Sequence, residues 1–535
     1  MKALTDRDDW YADSVIYHVY PRTFCDALGE GLGNVEGIAG KLDYLQRLHV
    51  NTIYVQDVDA TLPHLADEDK VGAKERQTLS DLAKAVQEHD MHLLVDLPAA
   101  FTSPAHPWFL HALKGDAPYR DYYLWRQGRG KTGNRPPDGR KVHGKSVWRT
   151  ENGTDWYLHH AGSPLLNWDC DALVEAMLGI ARMLLDLGVD GFVLPAEDMH
   201  VGRFAAGKSS AERDATYARL QTFAEAVREA HPCTFVVDIG WDAISRAQSL
   251  PFANGLRSSA HLPRTYRDFR KPRYQRLKRV VGAWQQGAYG RFVPQLYCES
   301  ADLPRVLSWF VRECGNYRKE AACMVATAIY MLRGTPIVYQ GQEIGMGKSP
   351  VKHVSDISDA RFERLSKCKV LSKIGFVNKA VIERIDNVIS DSARTAMPWT
   401  ALLPNAGFSA GTLRVPLNPD YVQINVQTEL EKSDGIIGYY ERLLGLRANA
   451  EYAPVLKNGV YKEYPQNKNL LVYSRSYKGV TVIVVCNLSC ASVPFVLPDR
   501  VAFNDATLLL ANYDMPAHLG TVTLRPYECM VYRLK

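Results

Sequence analysis

Apolar residues along this chain gather into short, nearly uninterrupted runs separated by stretches of helical pattern. The runs are VIYHVY (Val15 to Tyr20), TIYVQDV (Thr52 to Val58), HLLVDLP (His92 to Pro98), GFVLP (Gly191 to Pro195), TFVVDIG (Thr234 to Gly240), FVPQLYC (Phe292 to Cys298) and TPIVYQG (Thr335 to Gly341). An eighth, weaker one falls near PFANGLRSS. Between them, segments such as GIAGKLDYLQRLHV and LSDLAKAVQEHD carry apolar residues at helical spacing. Continuous apolar strands alternating with helices predict a parallel sheet covered on both faces. Seven or eight such units over about 340 residues predict an α/β fold of the (β/α)₈ barrel type rather than an open sheet. No GxGxxG or GxxxxGK[ST] follows the first run, which argues against a nucleotide fold.

Two stretches break this rhythm. From Pro98 to Cys170, roughly seventy residues rich in Trp, Tyr, Gly and Pro are too long for a simple loop and predict an inserted subdomain. After Asn449 the pattern becomes LLVYSRSY, VTVIVVCNLS, VPFVLP, ATLLLANYD and GTVTLRPYECMVYRLK, which predicts a C-terminal antiparallel β-sandwich. The expected domains are therefore 1–97 with 171–449 for the barrel, 98–170 for the insertion and 450–535 for the sandwich.

Composition adds limits. The 535 residues are 46% hydrophobic with a net charge of +5, an ordinary globular balance in which charge alone does not imply nucleic acid. The 28 tyrosines suit ring-shaped ligands, and they serve large cores equally well. The amino terminus lacks an apolar export core, and no run approaches transmembrane length. Ten cysteines without a CxxC pair, several inside apolar runs, are expected to be buried thiols in a reducing cytoplasm.

Chemistry in a parallel α/β fold is carried at the C-terminal ends of the strands. One such end, in GVDGFVLPAEDMH, carries Pro195, which has no ionisable group. The stretches WYADSVIYHVYPRTF, KLDYLQRLHVNTIYV, YRDYYLWR, LLNWD, GTPIVYQGQEIGM, DSARTAMPW, NAGFSAG and LNPDYVQINV set this residue in context. In order along nearly the whole chain, they resemble the signature stretches of the alpha-amylase superfamily of glycoside hydrolases. The likeness is to the oligo-1,6-glucosidase and alpha-glucosidase branch, with trehalose-6-phosphate hydrolases nearby. The resemblance implies a retaining two-carboxylate mechanism, in which one acid attacks the anomeric carbon and another protonates the leaving oxygen.

Carried over position by position, that chemistry is altered. The nucleophile position is Pro195, and the arginine that would hold it is Val193. The acid/base position is Asp238, one methylene shorter than a glutamate. The third carboxylate is Asp302, in SADLPR, which has lost its Asn and His neighbours. The third strand ends in DLPAAF, losing a sugar-gripping histidine, and the stacking Tyr–Asp pair falls near His64 and Leu65. Asp96, Arg305, Asp57 and Arg394 remain as substrate-binding candidates, and Tyr339, Gln340 and Glu343 are expected to close the eighth strand. No cofactor is expected beyond calcium. For that ion the resemblance implies a loop at CDALGEGLGN, with Asp26, Glu30, Asn34 and Leu32 as the candidate set and Leu28 removing one ligand.

These losses lead to the expectation of a catalytically inactive relative with a carbohydrate-, anion- or protein-binding role. The alternative is an active retaining alpha-glucosidase with relocated carboxylates, for which Asp57, Asp238 and Asp302 form one candidate cluster and Glu197 and Asp198 are further sources. Two basic runs bear on partners. Arg126 to Arg149 holds eight Lys/Arg and one acid, and Arg257 to Arg279 holds nine and one. They suit a sugar phosphate, another anionic ligand, an acidic protein or nucleic acid, with an oligosaccharide as the other expected ligand, although charge runs are usually solvated faces. No membrane partner is expected.

Overall fold

The computed structural model describes residues 10–58, 72–97, 99–139, 141–142, 145–160, 162–194, 210–239, 255–258, 274–288, 292–310, 315–349, 382, 390–514 and 519–535. The chain divides into two compact units. The first is Met1–Asp57, Lys84–His92 and Ser259–Lys535, and the second is Val58–Ala83 and Leu93–Ser258. The expected domain limits at 98, 170 and 450 are not the limits of these units. Each unit carries parallel strands, the first together with the C-terminal sheets and the second together with the insertion.

Eight short strands match the apolar runs: β1 Ile16–Val19, β2 Thr52–Val55, β3 His92–Asp96, β4 Gly191–Leu194, β5 Thr234–Ile239, β6 Gly255–Ser258, β7 Val293–Leu296 and β8 Thr335–Tyr339. In the first unit the parallel order is β2-β1-β8-β7, with Ile16 opposite both Thr52 and Ile337, and Gln295 opposite Thr335. In the second it is β3-β4-β5-β6, with Val193 opposite Asp96 and Val236, and Asp238 opposite Arg257. Four and four parallel strands are the complement of a (β/α)₈ barrel. The weak eighth run is thus a true strand, β6.

The lead into β4 shows how the sequence builds these units. Helix Asp171–Asp186 buries Leu173, Met177, Ile180, Ala181 and Leu184, the three-and-four spacing of an apolar stripe. Gly188 then turns at φ +99°, a conformation that costs other residues about 1 kcal/mol. Asp190 accepts the Leu93 N–H at 2.8 Å, tying the start of β4 to that of β3.

The C-terminal region is a sandwich. Strands Val460–Glu463, Leu470–Tyr477, Val480–Asn487, Cys529–Leu534 and Ala506–Ala511 form one antiparallel sheet, and Val493–Val496 pairs with Thr521–Leu524 in a second. Leu470, Val472, Ile483, Val485, Phe495, Leu524 and Met530 share one core between the two sheets. Helix Arg318–Tyr330, buried from Ala321 to Tyr330, covers the other face of the larger sheet. There the Tyr473 hydroxyl donates to the Ala328 carbonyl at 3.1 Å. Arg447 caps that helix by donating to the carbonyls of Tyr330, Leu332 and Gly334. Burial pushes its guanidinium down to about 10.

The insertion forms short antiparallel strands, Trp125–Gln127, Trp148–Arg149 and Asp155–His160, around Val147, Trp148, Leu158 and Leu165. Among the described residues no helix is long and apolar enough to cross a membrane.

Candidate active site

In the first unit, the ends of β1, β2, β7 and β8 gather a polar network around Asp302. The Arg394 Nη2 donates to Asp302 Oδ1 at 2.7 Å, and its Nε donates to the Ala301 carbonyl at 2.8 Å. Gln56 donates from Nε2 to Asp302 Oδ2 at 2.9 Å, while its Oε1 lies 2.8 Å from His18 Nε2. An amide oxygen can only accept, so His18 carries its proton on Nε2. The His18 ring stacks on Tyr54 with centroids 4.6 Å apart. Both oxygens of Asp302 are therefore held, and its orientation is fixed by two residues from distant parts of the chain.

Asp57 follows Gln56 at the end of β2, in the left-handed region at φ +54°. This conformation is unusual for a residue with a side chain, and such backbone is concentrated at functional sites. Tyr20 lies in the electrostatic field of both acids. Burial pushes its hydroxyl pKa up, and Asp57 and Asp302 push the same way against Arg394 and Arg22. The Arg394 guanidinium lies 5.3 Å from the Tyr20 ring. Its pKa is raised although burial opposes the charge, because Asp302, Tyr20, Tyr339 and Asp57 surround it with negative potential. Asp302 is thus paired with the Arg394 guanidinium beside Tyr20, and Asp57 at the end of β2 adds its negative potential to both.

Arg305 does not reach this surface. It is fully buried, donating from Nη1 to Glu299 Oε2 at 2.9 Å and to the Gln340 carbonyl at 2.8 Å. The expectation that it binds substrate is corrected to a supporting role, because no solvent-facing atom remains. Glu299, which the sequence reading passed over, completes the pair and accepts the Val306 N–H at 2.9 Å. Burial pushes the Glu299 carboxyl upward, against the pull of Arg305.

The residues expected to close β8 do so. Gln340 accepts the Tyr20 N–H at 2.8 Å and donates to Thr23 Oγ1 at 2.9 Å. Glu343 accepts the Tyr17 and Tyr44 hydroxyls at 2.7 and 2.8 Å. In the second unit, Asp96 ends β3 half-buried opposite Val193, and Asp238 lies near the end of β5. Pro98, Pro195, Glu197, Asp198, His64 and Leu65 lie outside the described residues.

The loop expected to bind calcium is closed by hydrogen bonds. Asp26 Oδ1 accepts from Leu28 N, Gly29 N and Asn34 Nδ2 at 3.1, 2.9 and 3.0 Å. Its Oδ2 accepts from Gly31 N and Ser409 Oγ at 2.7 and 2.6 Å. Glu30 and Leu32 add no side-chain bond to this set. In the insertion, Arg126, Arg129, Lys131 and Arg135 are exposed, and Arg129 bridges Arg135 across a tight antiparallel turn. Of the second basic run, residues 259–273 lie outside the described residues.

Parallel strands that carry acids and a guanidinium at their C-terminal ends define the catalytic face of a (β/α)₈ scaffold. A family model described as the alpha amylase catalytic domain matches residues 18–458, and one for the maltogenic amylase C-terminal domain matches residues 464–531. The chain belongs to the alpha-amylase family of glycoside hydrolases. It is 30% identical to the oligo-1,6-glucosidase of Parageobacillus thermoglucosidasius over 565 residues, 98% of this chain and 99% of that one. It is 27% identical to the trehalose-6-phosphate hydrolase of Bacillus subtilis (strain 168), over 99% of each. The solved structure of a trehalose-6-phosphate hydrolase from Bacillus licheniformis superposes with a TM-score of 0.84 at 26% identity. It covers 98% of this chain and 99% of that one.

These comparisons overturn the expectation of an inactive relative. The full-length relatives are oligo-1,6-glucosidases and a trehalose-6-phosphate hydrolase, and nothing among them marks this chain as having lost activity. The physical reason lies in the fold. Catalytic groups in such scaffolds come from the ends of several strands, so an acid missing from one end can be supplied from another.

Proposed function

We propose that this protein hydrolyses α-glucosidic bonds in short glucosides by the retaining two-carboxylate route, using relocated acids. Support comes chiefly from one observation, the Asp302 carboxylate clamped by Arg394 and Gln56 with Asp57 acting on the same guanidinium. In this proposal Asp302 attacks the anomeric carbon as its bond to the leaving oxygen breaks, forming a glycosyl ester that water later opens. Asp57 gives a proton to the leaving oxygen and later takes one from water. Asp238, at the family's acid/base position, is the third acid to test.

The exposed cations of the insertion, within the second unit, suit an anionic ligand or an acidic partner. Arg126, Arg129, Lys131 and Arg135 have no ion pair among the described residues, whereas Arg120 and Arg149 are paired with Asp155 and Glu151. Like charges facing one another across a bridge are costly unless an anion answers them. All eight described cysteines are free thiols, which fits a reducing, cytoplasmic setting.

The test is release of glucose from isomaltose and of p-nitrophenol from its α-glucoside, with a phosphorylated disaccharide in parallel. Turnover that Asp302→Asn and Asp57→Asn each abolish supports the proposal. Absence of turnover on all three substrates would sink it.

A further inference from the structure

The Asp26 loop does not fit a divalent cation, and its bonds describe what takes the cation's place. Calcium takes six to eight oxygen ligands whose lone pairs face the ion. Here five donors converge on the Asp26 carboxylate: three backbone N–H groups, the Asn34 amide and the Ser409 hydroxyl. Of the other candidates, Asn34 Oδ1 is also taken, since it accepts the N–H groups of Ala27 and Gly37 at 3.2 and 2.9 Å. An ion placed there would face hydrogens rather than lone pairs.

The same bonds stitch residues 26–34 to a segment far along the chain. Asp26 N donates to the Phe408 carbonyl at 2.9 Å, and Arg414 N donates to the Gly31 carbonyl at 2.9 Å. The two backbones pass so closely that a Cβ on Gly31 would stand 1.8 Å from the Thr412 carbonyl oxygen. One on Gly411 would stand 1.9 Å from that of Gly29. Ser409 Oγ also accepts the Gly411 N–H at 2.9 Å, and Asn405 Nδ2 donates to the carbonyls of Ser409 and Gly411. Upstream, the same segment is fastened where Met397 N donates to Thr23 O at 2.8 Å and Trp399 Nε1 donates to Phe24 O at 2.9 Å. Three residues before Met397 stands Arg394, the clamp on Asp302.

We infer that Asp26, Asn34 and Ser409 form a metal-free pin that positions the strap from Arg394 to Arg414, and through it the Arg394 guanidinium against Asp302. Ser409 is thus a positioning residue. The effect on turnover rests on the proposed glucosidase function, and the metal independence does not.

Thermal unfolding of the whole protein, in excess EDTA and in excess CaCl₂, decides the metal arm. A cation bound at about a hundredfold its Kd would raise the Tm by about 2–3 degrees. The expected result is no difference, and a calcium-dependent rise would overturn the inference. For the positioning arm, Ser409→Ala is expected to lower kcat/KM about tenfold, and Ser409→Thr, which keeps the hydroxyl, to restore it. In an Arg394→Ala background the loss from Ser409→Ala should largely disappear. An undiminished loss in that background would reduce Ser409 to a structural role. If the unaltered protein shows no turnover, the functional proposal fails separately, and the same double-mutant cycle is read on urea unfolding, where additivity would refute the coupling.

Discussion

Two carboxylate–arginine pairs, whose acids stand three residues apart in the chain, sit in different surroundings. Glu299 and Arg305 have side chains 1% and 0% exposed, whereas Asp302 and Arg394 are 47% and 28% exposed. The first pair is sealed, donates onward to the Gln340 carbonyl, and holds the β8 end. The second keeps open faces beside Tyr20 and Asp57, where a substrate oxygen could compete for the guanidinium. The chemistry of the groups is the same, and burial alone separates the sealed brace from the open pair. Breaking a buried pair strands a charge, whereas breaking an exposed one lets water in.

The largest effect is expected at the sealed pair. Glu299→Ala leaves Arg305 charged and unpaired, and should cost about 3–5 kcal/mol in urea-measured stability. A loss below about 1 kcal/mol would show that the pair matters less than its burial suggests. At the open pair the balance reverses. Asp302→Asn should change stability by less than about 1 kcal/mol yet lower kcat/KM by on the order of a thousandfold, measured as p-nitrophenol release. Gln56→Leu, which removes the donor to Asp302 Oδ2, should cost about tenfold, and a loss as large as that of Asp302→Asn would make Gln56 more than a positioning group.

The smallest effect concerns a third acid, Glu429. It is buried, yet bonds from Lys432 at 2.8 Å, the Ile436 N–H at 2.9 Å and Arg318 at 2.9 Å hold its pKa below the usual range, against the effect of burial. A depressed carboxylate pKa stabilises the fold above the unfolded-state value of about 4.3, and that stability is lost as pH falls through the folded value. The Tm difference between the unaltered protein and Glu429→Gln should therefore shrink below about pH 4. A gap that stays constant into acid would break this assignment.

How much of this was legible in the chain differs from element to element. The parallel strands were, because a strand buried on both faces must be apolar throughout, and β1, β2, β4 and β8 are buried at every position. Strand Val460–Glu463 was not, since its alternating exposure in VYKE carries little apolar signal. Asp302, Arg394 and Asp57 were singled out by type and motif position. Gln56 was passed over because it is neutral and lies 246 residues from its partner. Arg305 was assigned to substrate because a sequence does not show that a guanidinium is sealed from water.

The sequence by itself determined the strand and helix order, the insertion, the sandwich and the family. Those follow from periodicities and motifs that act over a few residues at a time. The tertiary structure decided which acids meet, which arginine is a brace, and whether Asp26 faces a cation or a ring of N–H donors. Each of those depends on the distance and burial of groups contributed by remote segments, and electrostatic roles are set by such surroundings rather than by residue type.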